Sequence, residues 1–321
     1  YLFLFYRGEY AEGLARYTPL SLVLVPDQLA EGWFGRPNGQ VVVADRIPLI
    51  ITALGMWVTA FLAGRLILMG IRIDALLSPA EHAVFSLAIG LSCISLVTLV
   101  IGLFGGLQTV WWYVAFAVVV LVATLRLSLR RQEHAGTDRT AWTFDWSWPT
   151  WGLLLSLPFV AILFLGALLP PVDFDVLEYH LQVPKQWYQQ GSIGFLPHNI
   201  YGNMPLGAEV LAIPAMALLP GDQSWWWGAL VGKLLIAGFA PLTAMALFAA
   251  GKRFVNTTAG VVAALVYISI PWVAVVSMNG LIDGVLGCYV FLSVYGFAIW
   301  YSAGRRSSGL VLLTGLLAGS A

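Results

Sequence analysis

Apolar stretches of bilayer length recur along this chain, at roughly 48 to 69, 83 to 104, 110 to 127, 151 to 169, 225 to 250, 258 to 277 and 280 to 300. A helix rises about 1.5 Å per residue, so about 20 apolar residues cross the roughly 30 Å of hydrocarbon. A water-facing helix would interrupt such stretches with polar residues on its outer side. The pattern predicts an all-α polytopic membrane protein with about seven complete spans. An eighth run begins near Leu310 and is cut short at Ala321, and the first residue is Tyr1 rather than Met, so the sequence is expected to be a piece of a longer chain.

Charge supports the same class. Sixteen basic and 16 acidic residues make up 10% of the chain, against about 25% in soluble domains. A mean hydropathy of +0.84 excludes disorder, and zero net charge excludes a nucleic-acid footprint. Cys93 and Cys288 lie inside apolar runs and read as packing residues. Because ionisable groups are costly in lipid, each one calls for a reason.

Basic residues collect on the cytoplasmic side of membrane proteins. Arg65 and Arg72 follow the first run, Arg126, Arg130, Arg131 and Arg139 the third, Lys252 and Arg253 the fifth, and Arg305 and Arg306 the seventh. This alternation predicts an extracytoplasmic segment 1–47, a leading three-span unit 48–130, a cytoplasmic linker 131–150 and a core 151–321 with an outer loop 170–224. Trp111, Trp112 and Tyr113, with Trp225, Trp226 and Trp227, fit aromatic belts on the outer side.

The outer loop is chemically dense and too long to be a simple connection. Phe174, Leu177, Trp187 and Tyr188 give it apolar surface to bury. Its pattern predicts a helix over 176–190 divided at Pro184 and a second over 207–219 with Pro214 as its weak point. On the first, Asp175, Glu178, Tyr179 and Gln182 share a face. Asp175 is placed there to act as a general base. The same Asp-x-x-Glu spacing is also a capping box, with Asp175 as N-cap. Asp283 stands three residues into the seventh run, facing the same compartment as Asp175 at similar depth. It is either a site residue or a carboxylate on the helix dipole. Lys233 lies about 12 Å into the fifth run, snorkelling to the outer interface or meeting a lipid phosphate there. His180 and His198 share the loop with Asp173, Asp175, Glu178 and Glu209, a donor set open to a divalent ion such as Mg, Mn or Zn. Asp173, Asp175 and His180 are the candidate ligands. Soluble hydrolase, P-loop and zincin motifs are absent from the sequence.

DFDVLEYH at 173–180, QWYQQGSIGFLPHNIYGNMPLGAEVL after it and NGLIDGVLGCYVF around Asp283 together resemble the GT-C superfamily of polyprenyl-phosphate-sugar-dependent membrane glycosyltransferases. Within it they are most similar to the aminoarabinose-transferase-like and RgtA/B/C/D-like branch, which is related to the protein O-mannosyltransferases. The likeness covers about 151 to 321. It implies a GT-C-like helical bundle in which Asp175 is the catalytic carboxylate and Asp283 supports the acceptor or a metal. Asp173, Glu178, Tyr179, His180, Tyr201 and Lys233 would line the substrate site. The aminoarabinose branch has Glu-Lys-Pro-Pro where this chain has Gly202, Asn203, Met204 and Pro205, so the implied metal-ligating Glu and phosphate-binding Lys are missing and Lys233 is the substitute candidate.

The resemblance implies transfer of a sugar from a lipid-linked donor to a glycan, lipid or protein acceptor on the outer face of a bacterial cytoplasmic membrane. A transporter or flippase, with Asp283 and Lys233 lining the path, is the rival expectation. A non-catalytic assembly protein is a third, favoured if Asp175 and Asp283 lie far apart.

Overall fold

The computed structural model describes residues 25–35, 42–134, 151–152 and 154–321. Most of segment 1–47 and of linker 131–150, Arg139 included, lies outside the described residues, as do the side chains of Arg130 and Arg131. Every regular element among the described residues is helical. In chain order the α-helices are α1 (Val25–Phe34), α2 (Ile47–Gly70), α3 (Pro79–Leu103), α4 (Val110–His134), α5 (Leu157–Ala167), α6 (Gln182–Gln190), α7 (Ala212–Leu218), α8 (Ser224–Ala237), α9 (Phe239–Phe254), α10 (Thr257–Ile268), α11 (Pro271–Asn279), α12 (Asp283–Ser302) and α13 (Ser308–Ala318).

Among the described residues, five helical stretches are long and apolar enough to cross a membrane: Val43–Gly70, Pro79–Leu103, Val110–Leu127, Ser224–Phe254 and Asp283–Ser302. The pair α10 and α11, bent by 60°, makes a sixth if it counts as one span. These helices make the chain an integral membrane protein. Two prolines shape the runs at 151–169 and 258–277, which do not appear among those five stretches. Pro158 has no N–H for the carbonyl of residue 154, so the 151–169 run yields only the 11-residue α5 beyond a turn at Trp151. Ahead of Pro271, Ile270 is extended at φ −67° and ψ 118°, as pre-proline residues prefer, and the 258–277 run breaks there.

Helices in lipid associate through close backbone approach at small residues. The α2–α3 crossing is of this kind: a Cβ on Gly64 would strike the Ser86 carbonyl, and one on Gly90 the Ala60 carbonyl. Ala60 and Gly64 on one helix thus mesh with Ser86 and Gly90 on the other, each pair four residues apart. Gly251 and Gly260 let α9 and α10 approach in the same way.

The segment 170–223 forms a hood at one end of the bundle, here the hood side. It is stitched to the α3–α4 turn by backbone bonds from Leu107 to Gly191 (3.1 Å) and from Ile193 to Gly102 (3.0 Å). Gln108 adds side-chain bonds to the carbonyls of Tyr188 and Gln189. At the opposite end Glu81 is wholly buried. It accepts from Arg253 Nε and Nη2, the Tyr295 hydroxyl and the Ser78 N–H. Ser78 and Glu81 form a capping box that starts α3, and the Arg253 and Tyr295 bonds tie that start to α9 and α12.

Candidate functional site

The hood begins after Pro170 and Pro171, which cannot continue α5. Asp173 Oδ1 accepts from the N–H groups of Asp175 (3.0 Å) and Val176 (3.4 Å). Asp175 holds the N-cap position but makes no side-chain cap bond, so the expected Asp175–Glu178 capping box does not form. Two aspartates two residues apart compete for the same donors, and the upstream one takes them. Asp175 is left exposed and free of a capping duty.

A wide turn follows, closed by the Leu181 N–H on the Val176 carbonyl at 3.0 Å, and α6 starts after it. The helix expected over 176–190 is therefore divided at Leu181 and not at Pro184. Pro184 is the third residue of α6, where an N–H has no intrahelical acceptor. Pro214 is likewise the third residue of α7, which follows a tight turn at Glu209–Leu211.

The wide turn places Tyr179 and His180 side by side, ring centroids 4.2 Å apart. Tyr179 also stacks on Tyr201 at 4.8 Å. Asn199 fixes Tyr201 by accepting its N–H (3.1 Å) and donating to the Glu178 carbonyl (3.1 Å). Glu178 itself is exposed, and His198 lies against Gln186 at 3.2 Å. His180 is buried and its Nδ1 meets Glu209 Oε1 at 2.8 Å, while Glu209 Oε2 is buried without a hydrogen-bond partner. Glu209 also borders a cavity of about 240 Å³ walled by Leu91, Leu96, Phe239 and Val285, with the hydroxyls of Ser92 and Tyr289 among its polar groups.

Asp283 is the first residue of α12 and exposed, not three residues inside a helix. That position also suits a carboxylate favoured by the helix dipole. Its field nevertheless reaches the hood. Burial, and then the charges of Asp175 and Glu209, the Tyr201 phenol and the charge of Asp283, hold the Tyr179 phenol above its ordinary pKa of 10.0. A single phenol thus feels carboxylates from the hood and from the start of α12.

A raised phenol pKa favours the neutral form in the folded chain. The folded protein stays protonated where the unfolded chain ionises, near 10.0. The contribution of Tyr179 to stability is full below that pH and is lost as pH rises through the folded value. In a phenolate absorbance titration, wild type minus Tyr179→Phe shows a tyrosine ionising above pH 10.0, and Asp175→Asn and Asp283→Asn each shift it down. An unshifted titration in both variants would remove either acid from the neighbourhood of this ring.

Lys233 is not at the surface: it is 1% exposed and its Nζ donates to the Leu169 carbonyl at 2.8 Å. Gly280, left-handed at φ +89°, closes α11 over its stem, where a Cβ would stand 3.0 Å from Lys233 Cγ. Asp173, Asp175 and His180 do not assemble as ligands, and no three His, Cys, Asp or Glu side chains gather to hold a metal among the described residues. Asp173 is occupied by backbone donors and His180 by Glu209.

The sequence reading named Glu209 only as a loop acid and did not single out Arg46 or Glu81. Glu81 carries a signal, the Ser-Pro-Ala-Glu start of α3. Arg46 and the Glu209–His180 pair carry none, since burial there depends on distant elements. No family model, curated protein or solved structure matches this chain, so the chemistry of the site is argued from its own geometry.

Proposed function

We propose that this chain is a membrane glycosyltransferase of GT-C type, moving a sugar from a polyprenyl-phosphate carrier to an acceptor beneath the hood. The observation that supports it most is the hood cluster in which Tyr179 packs on His180 and Tyr201 at 4.2 and 4.8 Å, His180 bonds the buried Glu209 at 2.8 Å, and Asp175 is exposed and free of a cap bond four residues before Tyr179. Acids gathered beside apolar helices suit proton removal from an acceptor. Asp175, without a cap bond, is the general base: it takes the acceptor O–H or N–H proton as that atom bonds the anomeric carbon. The bond from that carbon to the carrier phosphate oxygen breaks in the same displacement, its electrons leave with the phosphate, and the configuration inverts. Glu209 positions the His180 and Tyr179 rings, and Asp283 orients the acceptor. The carrier's tail lies between spans, with the hood facing the outside of a bacterial cytoplasmic membrane. No step requires a metal.

Asp175→Asn tests the reading. Purified protein supplied with undecaprenyl-phosphate-linked sugars and a membrane extract as acceptor loses about 10²- to 10⁴-fold in transfer rate, while its unfolding temperature stays at the wild-type value. Wild-type transfer by the variant, or equal losses from Glu178→Gln and other exposed hood substitutions, would overturn it.

A further inference from the structure

Two cations are buried on the hood side with no buried counter-charge beside them among the described residues. Arg46, immediately before α2, is 6% exposed, and its Nε and Nη1 have no hydrogen-bond partner. Its guanidinium lies 5.3 Å from the centre of the Trp227 ring. Lys233, 1% exposed, has the Leu169 carbonyl as its partner and lies on α8 less than two turns, about 9 Å by helical rise, beyond the Trp227 that Arg46 covers. The acid that acts on Arg46 is its neighbour Asp45, which is exposed. Removing two basic side chains from water and setting them near each other is unfavourable for their charged forms, and an anion between them offsets that cost.

The surroundings describe that anion. Helices α2 and α8 both begin on this side, so the positive ends of two helix dipoles add to the cations. A guanidinium fork with free N–H groups matches the oxygens of a phosphate. The exposed side chains of Val43, in the turn before α2, and of Ile47 and Ile50 in its first turn flank Arg46, an apolar strip on which acyl chains can lie, and Trp225, Trp226 and Trp227 at the start of α8 are of the type that favours headgroup level. We propose that Arg46 and Lys233, with the Trp227 ring, form a binding site for a phosphate group, carried by a membrane lipid or free in solution. The site does not rest on the transfer reading, because a protein with no transferase activity would hold the same two cations.

Dioleoyl phosphatidic acid and dioleoylglycerol differ only by a phosphate, so the two are titrated into purified protein in dodecyl maltoside, with inorganic phosphate as a third arm. Phosphatidic acid raises the unfolding temperature of the wild type and dioleoylglycerol does not. Arg46→Gln and Lys233→Met each raise the half-maximal phosphatidic acid concentration by about tenfold or more, a loss of about 1.4 kcal/mol. Stabilisation by phosphatidic acid alone assigns the site to a lipid, and an equal effect of inorganic phosphate assigns it to the free anion. If neither variant folds, Arg46→Lys takes their place and keeps part of the response. Equal shifts from phosphatidic acid and dioleoylglycerol in the wild type, or an unchanged response in Arg46→Gln, would overturn the proposal.

Discussion

Glu81→Ala lowers the stability of the protein by about 1–3 kcal/mol, the usual cost of leaving buried hydrogen-bond donors without their acceptor. The carboxylate is wholly buried and takes four donors from Arg253, Tyr295 and Ser78. Its loss strands the Arg253 guanidinium, which keeps the Leu76 carbonyl at 2.7 Å, and leaves the Tyr295 hydroxyl and the first turn of α3 without an acceptor. A whole domain is stable by only about 5–15 kcal/mol, so the variant is expected to aggregate at temperatures where the wild type is monodisperse in detergent. Size-exclusion profiles after a temperature ramp give the measurement. The exposed Arg253 is solvated when its partner is lost, so Arg253→Gln with Glu81 intact costs less than Glu81→Ala. An alanine variant as stable as the wild type would mean that the lock contributes nothing to the fold.

Gly90→Leu is the second large effect. A Cβ at this position meets the Ala60 carbonyl, so α2 and α3 must separate before any side chain fits. Overpacking a core costs about 1–3 kcal/mol when side chains can shift. Backbone cannot shift without opening the whole crossing, so about 3 kcal/mol or more is expected here. Gly64→Leu fails for the same reason, against the Ser86 carbonyl. On the same helix Gly55 has nothing within 4 Å of a built Cβ, and Gly55→Ala is neutral or slightly stabilising from helix propensity. Matching losses at Gly55 and Gly90 would show that the sensitivity belongs to glycine in helices and not to this crossing.

Apolar length made α2, α3 and α12 legible in the sequence, because nothing inside those runs breaks a helix, and it showed the α8–α9 stretch as one run without its step at Gly238, three residues before Pro241. The same measure did not show the helix breaks at 151–169 and 258–277, since a proline adds little polarity to a hydropathy window and yet removes a backbone donor. Within the hood, Asp175 and Tyr179 were legible as neighbours from their spacing alone. Which aspartate caps was not, because Asp173 and Asp175 offer the same short acceptor two residues apart. Pro184 and Pro214 looked like breaks but fall in first turns, and only the helix starts reveal that. Glu81 was half legible: its capping box is local, while Arg253 lies 172 residues away. Arg46 and Glu209 depend wholly on what distant helices bury.

The stitched edge of the hood is its fixed side. Bonds from Leu107, Ile193 and Gln108 make the α3–α4 turn a fixed post, and swinging the hood away from it would break them together. Any movement of the hood that keeps these bonds therefore pivots on the α3–α4 turn.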